Sequence, residues 1–217
     1  MKTLQHTYIG TRLRLLTLCL GAASLSACGM LQPTAKAPPA FYALEYAKPS
    51  TAPSSTATGL PAMAAATLII SPVRAASGFD SQRIIYVREP HKIEYFAHNE
   101  WIDTPARMLG PLLVASIENT GSFRAVVLTP SAASGDLRLD TEIVRLQQEF
   151  LTKPSMVHFT LRTYLVDEKT RKVLASREFD RQIATNSDDP RAGVEAANRA
   201  VQSVLEELAQ FLAQRPR

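Results

Sequence analysis

Few side chains in this sequence could do chemistry, and their spacing excludes most of what they could do. The 217 residues include two cysteines, Cys19 and Cys28, and four histidines, His6, His91, His98 and His158. His91, Glu94 and His98 are the residue types that hold a transition metal, but they fall in and around "HKIEYFA", which reads as a strand. Positions i and i+3 of a strand point to opposite faces, so no shared ion and no metal site is expected. Asp188-Asp189 is a carboxylate pair, yet it directly precedes Pro190 and an amphipathic run, where acids cap a helix. Glu206-Glu207 falls on the polar side of that same run. No H-E-x-x-H, G-x-S-x-G, G-x-G-x-x-G or Walker-type loop occurs. The expectation is a protein without catalytic residues, not an enzyme.

The thiol of Cys28 is different, because its neighbours give it a job. "MKTLQHTYIGTRLR" carries Lys2, Arg12 and Arg14 and no acid, and "LLTLCLGAASL" follows as an apolar run too short to span a bilayer. Small residues then lead into Leu25-Ser26-Ala27-Cys28, which resembles the lipobox of bacterial lipoproteins. That resemblance implies a diacylglyceryl group on the Cys28 sulfur, cleavage after Ala27 and an N-acyl chain on the new amine. Each buried methylene contributes ~0.8 kcal/mol, so two or three chains anchor stably where one does not. Gly29 stands where an Asp would resemble an inner-membrane retention signal, which by the family rule implies an outer-membrane destination. No other cofactor is expected.

Removing residues 1–27 leaves 190 residues, ordinary for one domain. The whole chain has 24 basic and 20 acidic residues, and the discarded segment takes three basic ones, leaving 21 against 20. The high isoelectric point therefore owes much to that segment, and a nucleic-acid partner loses its support. With Cys19 removed and Cys28 acylated, no thiol is left for a disulfide, a nucleophile or zinc.

The elements that position the remaining residues follow from punctuation and period. Residues 28–40, "CGMLQPTAKAPPA", read as a flexible tether, and 41–217 as the folded domain, interrupted by a mobile loop at about 47–65. "FYALEY" is a short strand with Tyr42, Leu44 and Tyr46 on one face. "ATLIISPVR" is a buried strand ending near Pro72, while "RIIYVRE" and "HKIEYFA" form a hairpin about Pro90. "DTPARMLGPLLVASIENTG" is a helix capped by Asp103 or Thr104 and stopped by Gly121, with Pro111 expected to kink it or shift its start. "FRAVVLT" returns to strand. In "DLRLDTEIVRLQQEF" the parity of the apolar positions changes between Leu139 and Leu146, which predicts a β-bulge. "MVHFTLRTYLVD" alternates Val157, Phe159, Leu161 and Leu165 with His158, Thr160, Arg162 and Tyr164, so the latter four are expected to be exposed. "DEKTRK" turns the chain into "KVLASREFDRQIAT", and a long helix from Pro190 carries an apolar stripe from Val194 to Leu212. The predicted fold is α+β: a mainly antiparallel sheet with two packed helices.

The ordered set "FYAL", "LIISPV", "RIIYVRE" and "IEYFAHNEWIDTPARMLGPLLVASIENTGSFRAVV", then a closing sheet and long helix, resembles the ABC-type intermembrane transport auxiliary lipoproteins, the PqiC-like family. The most specific marks are Tyr42, Leu44, Pro72, Tyr86, Tyr95, Trp101 and Pro105. The resemblance implies a non-enzymatic partner of MCE-type proteins, which bridge the periplasm and carry phospholipid between membranes. The domain would face the periplasm and dock its partner at the outer membrane. Trp101, Arg162 and Tyr164 are the candidate partner-binding residues, since these types dominate interface hot spots, although for Trp101 packing of the first helix on the sheet is the more ordinary role. Self-association is a further expectation, because ring-forming partners are met by symmetric oligomers. An alternative is a lipoprotein activator of a periplasmic cell-wall synthase. A hydrolase ranks below both, for want of a nucleophile.

Overall fold

The computed structural model describes residues 38–47 and 66–214. Nine strands and two helices follow in the order β1 (Ala40–Tyr42), β2 (Thr67–Ile70), β3 (Arg74–Ala75), β4 (Arg83–Glu89), β5 (Lys92–Trp101), α1 (Pro105–Glu118), β6 (Ala125–Leu128), β7 (Leu137–Glu149), β8 (Met156–Asp167), β9 (Val173–Ala184) and α2 (Pro190–Ala213). This is the expected α+β class. The predicted signal peptide, the tether as far as residue 37, and the predicted loop from 48 to 65 lie outside the described residues.

The sheet is organised around β7. Along one edge β7 pairs antiparallel with β8, and β8 pairs antiparallel with β9, so the longest ladders are the expected ones. The other edge is shared in succession by three short strands, all parallel to it: β2 at Leu137–Leu139, β3 at Glu142–Ile143 and β4 at Gln148–Glu149. β6 adds in parallel to β2, and β1 adds in parallel to β5. The sheet is therefore mixed, antiparallel in its long ladders and parallel where short strands join it.

Local signals explain most elements. Residues Glu89 and Lys92 pair across the Pro90-His91 turn, where His91 takes a φ of 66°. Thr104 caps α1 by accepting from the Arg107 N–H, Pro105 begins it, and Gly121 ends it at a φ of 63°. Pro111 neither stops nor delays this helix, which runs on through it. Buried Leu109, Leu113 and Ile117 hold it on the core. At the β8–β9 turn, Asp167 accepts from the Thr170 N–H and hydroxyl. That closes the predicted hairpin. α2 begins with Asp189 accepting from the Ala192 N–H at 2.9 Å, and buries Val194, Ala197, Val201, Val204, Leu205, Leu208 and Leu212.

The first strand is shorter than expected. Only Ala40–Tyr42 pair with β5; beyond them the chain runs along α2. Asn198 receives the Glu45 N–H at 2.7 Å and donates to the Ala43 carbonyl, and Gln202 donates to the Ala47 carbonyl. Side chains of the helix thus satisfy backbone groups that a neighbouring strand would otherwise take. Leu44 is buried there, with Tyr42 and Tyr46 packed against the core.

Candidate functional site

The β-bulge decides which side chains reach the sheet face opposite the helices. Ile143 pairs with Leu161 and Arg145 with Thr160, leaving Val144 without a partner on β8. The inserted residue moves the following side chains to the other face. Core positions Leu139 and Ile143 are consequently continued by Leu146 and Gln148, while Val144, Arg145, Gln147 and Glu149 line an outer cleft.

Around Arg145 the outer face is crowded, which corrects the expectation of an exposed face. His158 is 7% exposed and Thr160 is buried, because β8 is flanked on both sides by long strands that carry polar side chains over it. His158 Nε2 lies 2.8 Å from Asp180 Oδ1, and His158 Nδ1 lies 2.9 Å from Arg145 Nη1 and 3.2 Å from Glu149 Oε1. A guanidinium only donates, so where it meets Nδ1 that nitrogen must accept, which puts the ring proton on Nε2 and directs it to Asp180. Burial works to raise the pKa of Asp180, but hydrogen bonds from Thr160 and His158, with Arg145 nearby, outweigh it and hold the carboxyl below its ordinary value.

Further along β8, Arg162 bridges three strands. It lies 3.3 Å from Glu142 Oε2 on β7 and 3.0 Å from Glu178 Oε2 on β9, with its side chain 40% exposed. The Glu178 hydrogen bond leads among the effects that raise the Arg162 pKa. Such exposed pairs contribute ~0–1 kcal/mol, so this ladder adds little stability and leaves charge available at the surface. Tyr164, half-buried, stands in register with Asp140 and Ser176.

A cleft of about 430 Å³ lies beside this polar lattice, between the β4–β5 turn and β7. Val87, Pro90, Lys92, Ile93, Arg145 and Leu151 are among its walls. Other large exposed hydrophobic residues are Phe41 and Ile102 near β1, Tyr95 on β5, and Val173 and Leu174 at the start of β9.

Cys28 and the Leu25-Ser26-Ala27 segment lie outside the described residues. Trp101 is 3% exposed and belongs to the core, so it is withdrawn as a partner-binding residue. It closes β5 opposite Tyr42, and its N–H donates to the Gln82 carbonyl. Arg162 and Tyr164 are brought together on the outer face. Among the described residues no cluster of His, Cys, Asp or Glu could hold a metal ion. Asp188 and Asp189 are structural: Asp188 accepts from the Ser155 N–H at 2.8 Å, while Asp189 caps α2. The Arg145–His158–Asp180 cluster was not foreseen; its signal was the bulge itself, whose consequence for Arg145 follows only once β8 is placed.

Residues 42–209 match the model of a family described as the ABC-type transport auxiliary lipoprotein component. The chain belongs to that family. A crystal structure of a protein from Xanthomonas campestris is similar, at a TM-score of 0.66 and 21% identity, covering 79% of this chain and 93% of that one. A second crystal structure, of an uncharacterised protein, gives a TM-score of 0.62 at 12% identity, covering 81% of this chain and 99% of that one. These identities speak for a shared fold. No curated protein sequence matches the chain. No helix among the described residues is long and apolar enough to cross a membrane.

Proposed function

We propose that this auxiliary lipoprotein is a non-enzymatic docking component of an MCE-type phospholipid transport system, held at the outer membrane by acyl chains on Cys28. The observation that carries the reading is the family match over 42–209, which makes the domain a transport accessory. The Leu25–Cys28 sequence supplies the chemistry of an anchor, and the absence of a spanning helix among the described residues leaves that anchor a purpose.

The docking face we assign is the outer surface of β7–β9 about Arg162 and Tyr164. Arg162 is held by two glutamates yet remains partly exposed, so a partner could exchange one ion pair for another without loosening the core. Self-association of the domain would match a ring-forming partner. Crosslinking in native membranes followed by capture of this chain tests the function. An MCE-domain protein should be recovered, and its absence from the crosslinked material would refute the reading.

A further inference from the structure

The cleft beside the β4–β5 turn combines an under-partnered cation with exposed apolar walls. Arg145 reaches it because the bulge at Val144 turns both residues outward. Half-buried, Arg145 donates only to the ring of His158; among the described residues no carboxylate pairs with it directly, although its charge reaches Asp180 beyond that ring. A guanidinium carries five N–H donors suited to a carboxylate or phosphate, so most of this capacity is unspent. Glu149 also lines the cleft, and its carboxylate already receives Gln147 Nε2 at 2.7 Å. Lys92, at the other wall, is shared with Glu89 at 3.2 Å.

The apolar part is as distinctive. Ile93 is 44% exposed and Leu151 50% exposed, and both stand at the cleft with Val87, Pro90 and Val144. Large aliphatic side chains left open beside a cation are the two halves of a site for an amphiphile. At about 430 Å³ the space falls at the small end of ligand pockets, which run from ~300 to ~1,000 Å³. It suits one acyl chain rather than a two-chain lipid.

We infer that this cleft binds a single-chain anionic amphiphile, its carboxylate or phosphate on Arg145 and its chain against Val87, Ile93 and Leu151. The site deepens the transport reading and rests on it only for the source of such molecules. The cleft and its chemistry stand apart from partner docking on the Arg162 face.

The test uses the full chain held in nanodiscs of zwitterionic lipid and a dodecanoate carrying a mid-chain diazirine. Irradiation should give saturable labelling of peptides containing Pro90–Ile93 and Leu151. Unlabelled dodecanoate should abolish it, whereas dodecanol and inorganic phosphate should not, since each offers half of the ligand. Arg145→Gln should reduce saturable labelling by at least about tenfold, as loss of a charge-assisted contact does. Leu151→Ser, at an exposed position, should reduce it with the melting temperature unchanged, so a misfolded Arg145 variant cannot decide the matter alone. Equal competition by phosphate would make this an anion site, and equal competition by dodecanol a merely apolar groove; either overturns the inference. Labelling confined to other peptides, or unaltered in both variants, overturns it as well. Capture of the MCE partner is scored separately: capture without labelling defeats the amphiphile site alone, and labelling without capture defeats the docking function alone.

Discussion

Arg145 Nη1 lies 2.9 Å from His158 Nδ1, so a permanent donor is set against a ring nitrogen that could itself donate or accept. The same ring presents Nε2 to Asp180 at 2.8 Å. One protonation pattern satisfies both contacts: neutral imidazole with its hydrogen on Nε2. Nitrogen-15 NMR of the neutral ring should therefore show an unprotonated Nδ1. A spectrum of the opposite tautomer would mean that Glu149, not Arg145, governs Nδ1.

Acid should destabilise the domain through its aspartates. Asp167 is held below the ordinary value by the Thr170 N–H, Asp188 by the Ser155 N–H, and Asp189 by the Ser187 hydroxyl and then the Ala192 N–H. In Asp180 burial opposes the lowering and the Thr160 and His158 hydrogen bonds prevail. Each group binds fewer protons folded than unfolded, so its contribution is complete above the unfolded value near 3.8 and is lost as pH falls through the lower folded value. The urea midpoint should be nearly level from about pH 7 to about pH 5 and fall below about pH 4. Asp188→Asn should make that fall shallower. A midpoint that rises on acidification would contradict the assignment.

Gly193 gives α2 its close seat on β7. A β-carbon there would stand 2.8 Å from Gln148 Cδ and closer still to its Oε1. Gln148 cannot easily retreat, being 2% exposed and donating to Ser155 Oγ at 2.9 Å. Gly193→Ala should thus cost ~1–3 kcal/mol from overpacking, against a gain of up to ~1 kcal/mol in helix propensity. Combining it with Gln148→Ala should recover part of the loss in a double-mutant cycle. A more stable single variant would show that the helix shifts freely.

On the outer face, Arg162→Ala with Tyr164→Ala should leave the melting temperature nearly unchanged, because neither side chain belongs to the core. It should still weaken capture of the proposed MCE partner, since truncating hot-spot residues costs ~2 kcal/mol or more. Wild-type capture by a folded double variant would move the docking site elsewhere on the domain.

What could be read in the sequence was what neighbours in the chain determine. The Pro90-His91 turn, the Thr104 and Asp189 caps, the stop at Gly121 and the bulge between Leu139 and Leu146 are all local chemistry, and all are present. The parallel joining of β2, β3 and β4 to β7 was not legible, since their partners lie 62–69 positions away in the chain. Alternation along β8 correctly separated Phe159 and Leu161 from His158 and Arg162. It could not tell that β7 and β9 would bring Arg145, Glu149 and Asp180 around His158 and bury it. Trp101 has the same lesson: its side-chain type suits an interface, and only its place beside β1, with the helices packed over the sheet, makes it core. Pro111 was expected to kink α1 or shift its start, yet the helix begins at Pro105 and the packing of Leu109, Leu113 and Ile117 carries it through Pro111.

The proposed role requires acyl chains on Cys28 to place this domain at the outer membrane, where it would meet its transport partner. The most direct measurement is the amount of MCE-domain protein crosslinked to the chain in purified outer-membrane fractions, for wild type against Cys28→Ala. Without the sulfur there is no acceptor for the diacylglyceryl group, so the variant and its crosslinked partner should disappear from those fractions together. Equal recovery of the crosslinked pair from the outer membrane without the Cys28 thiol would contradict it.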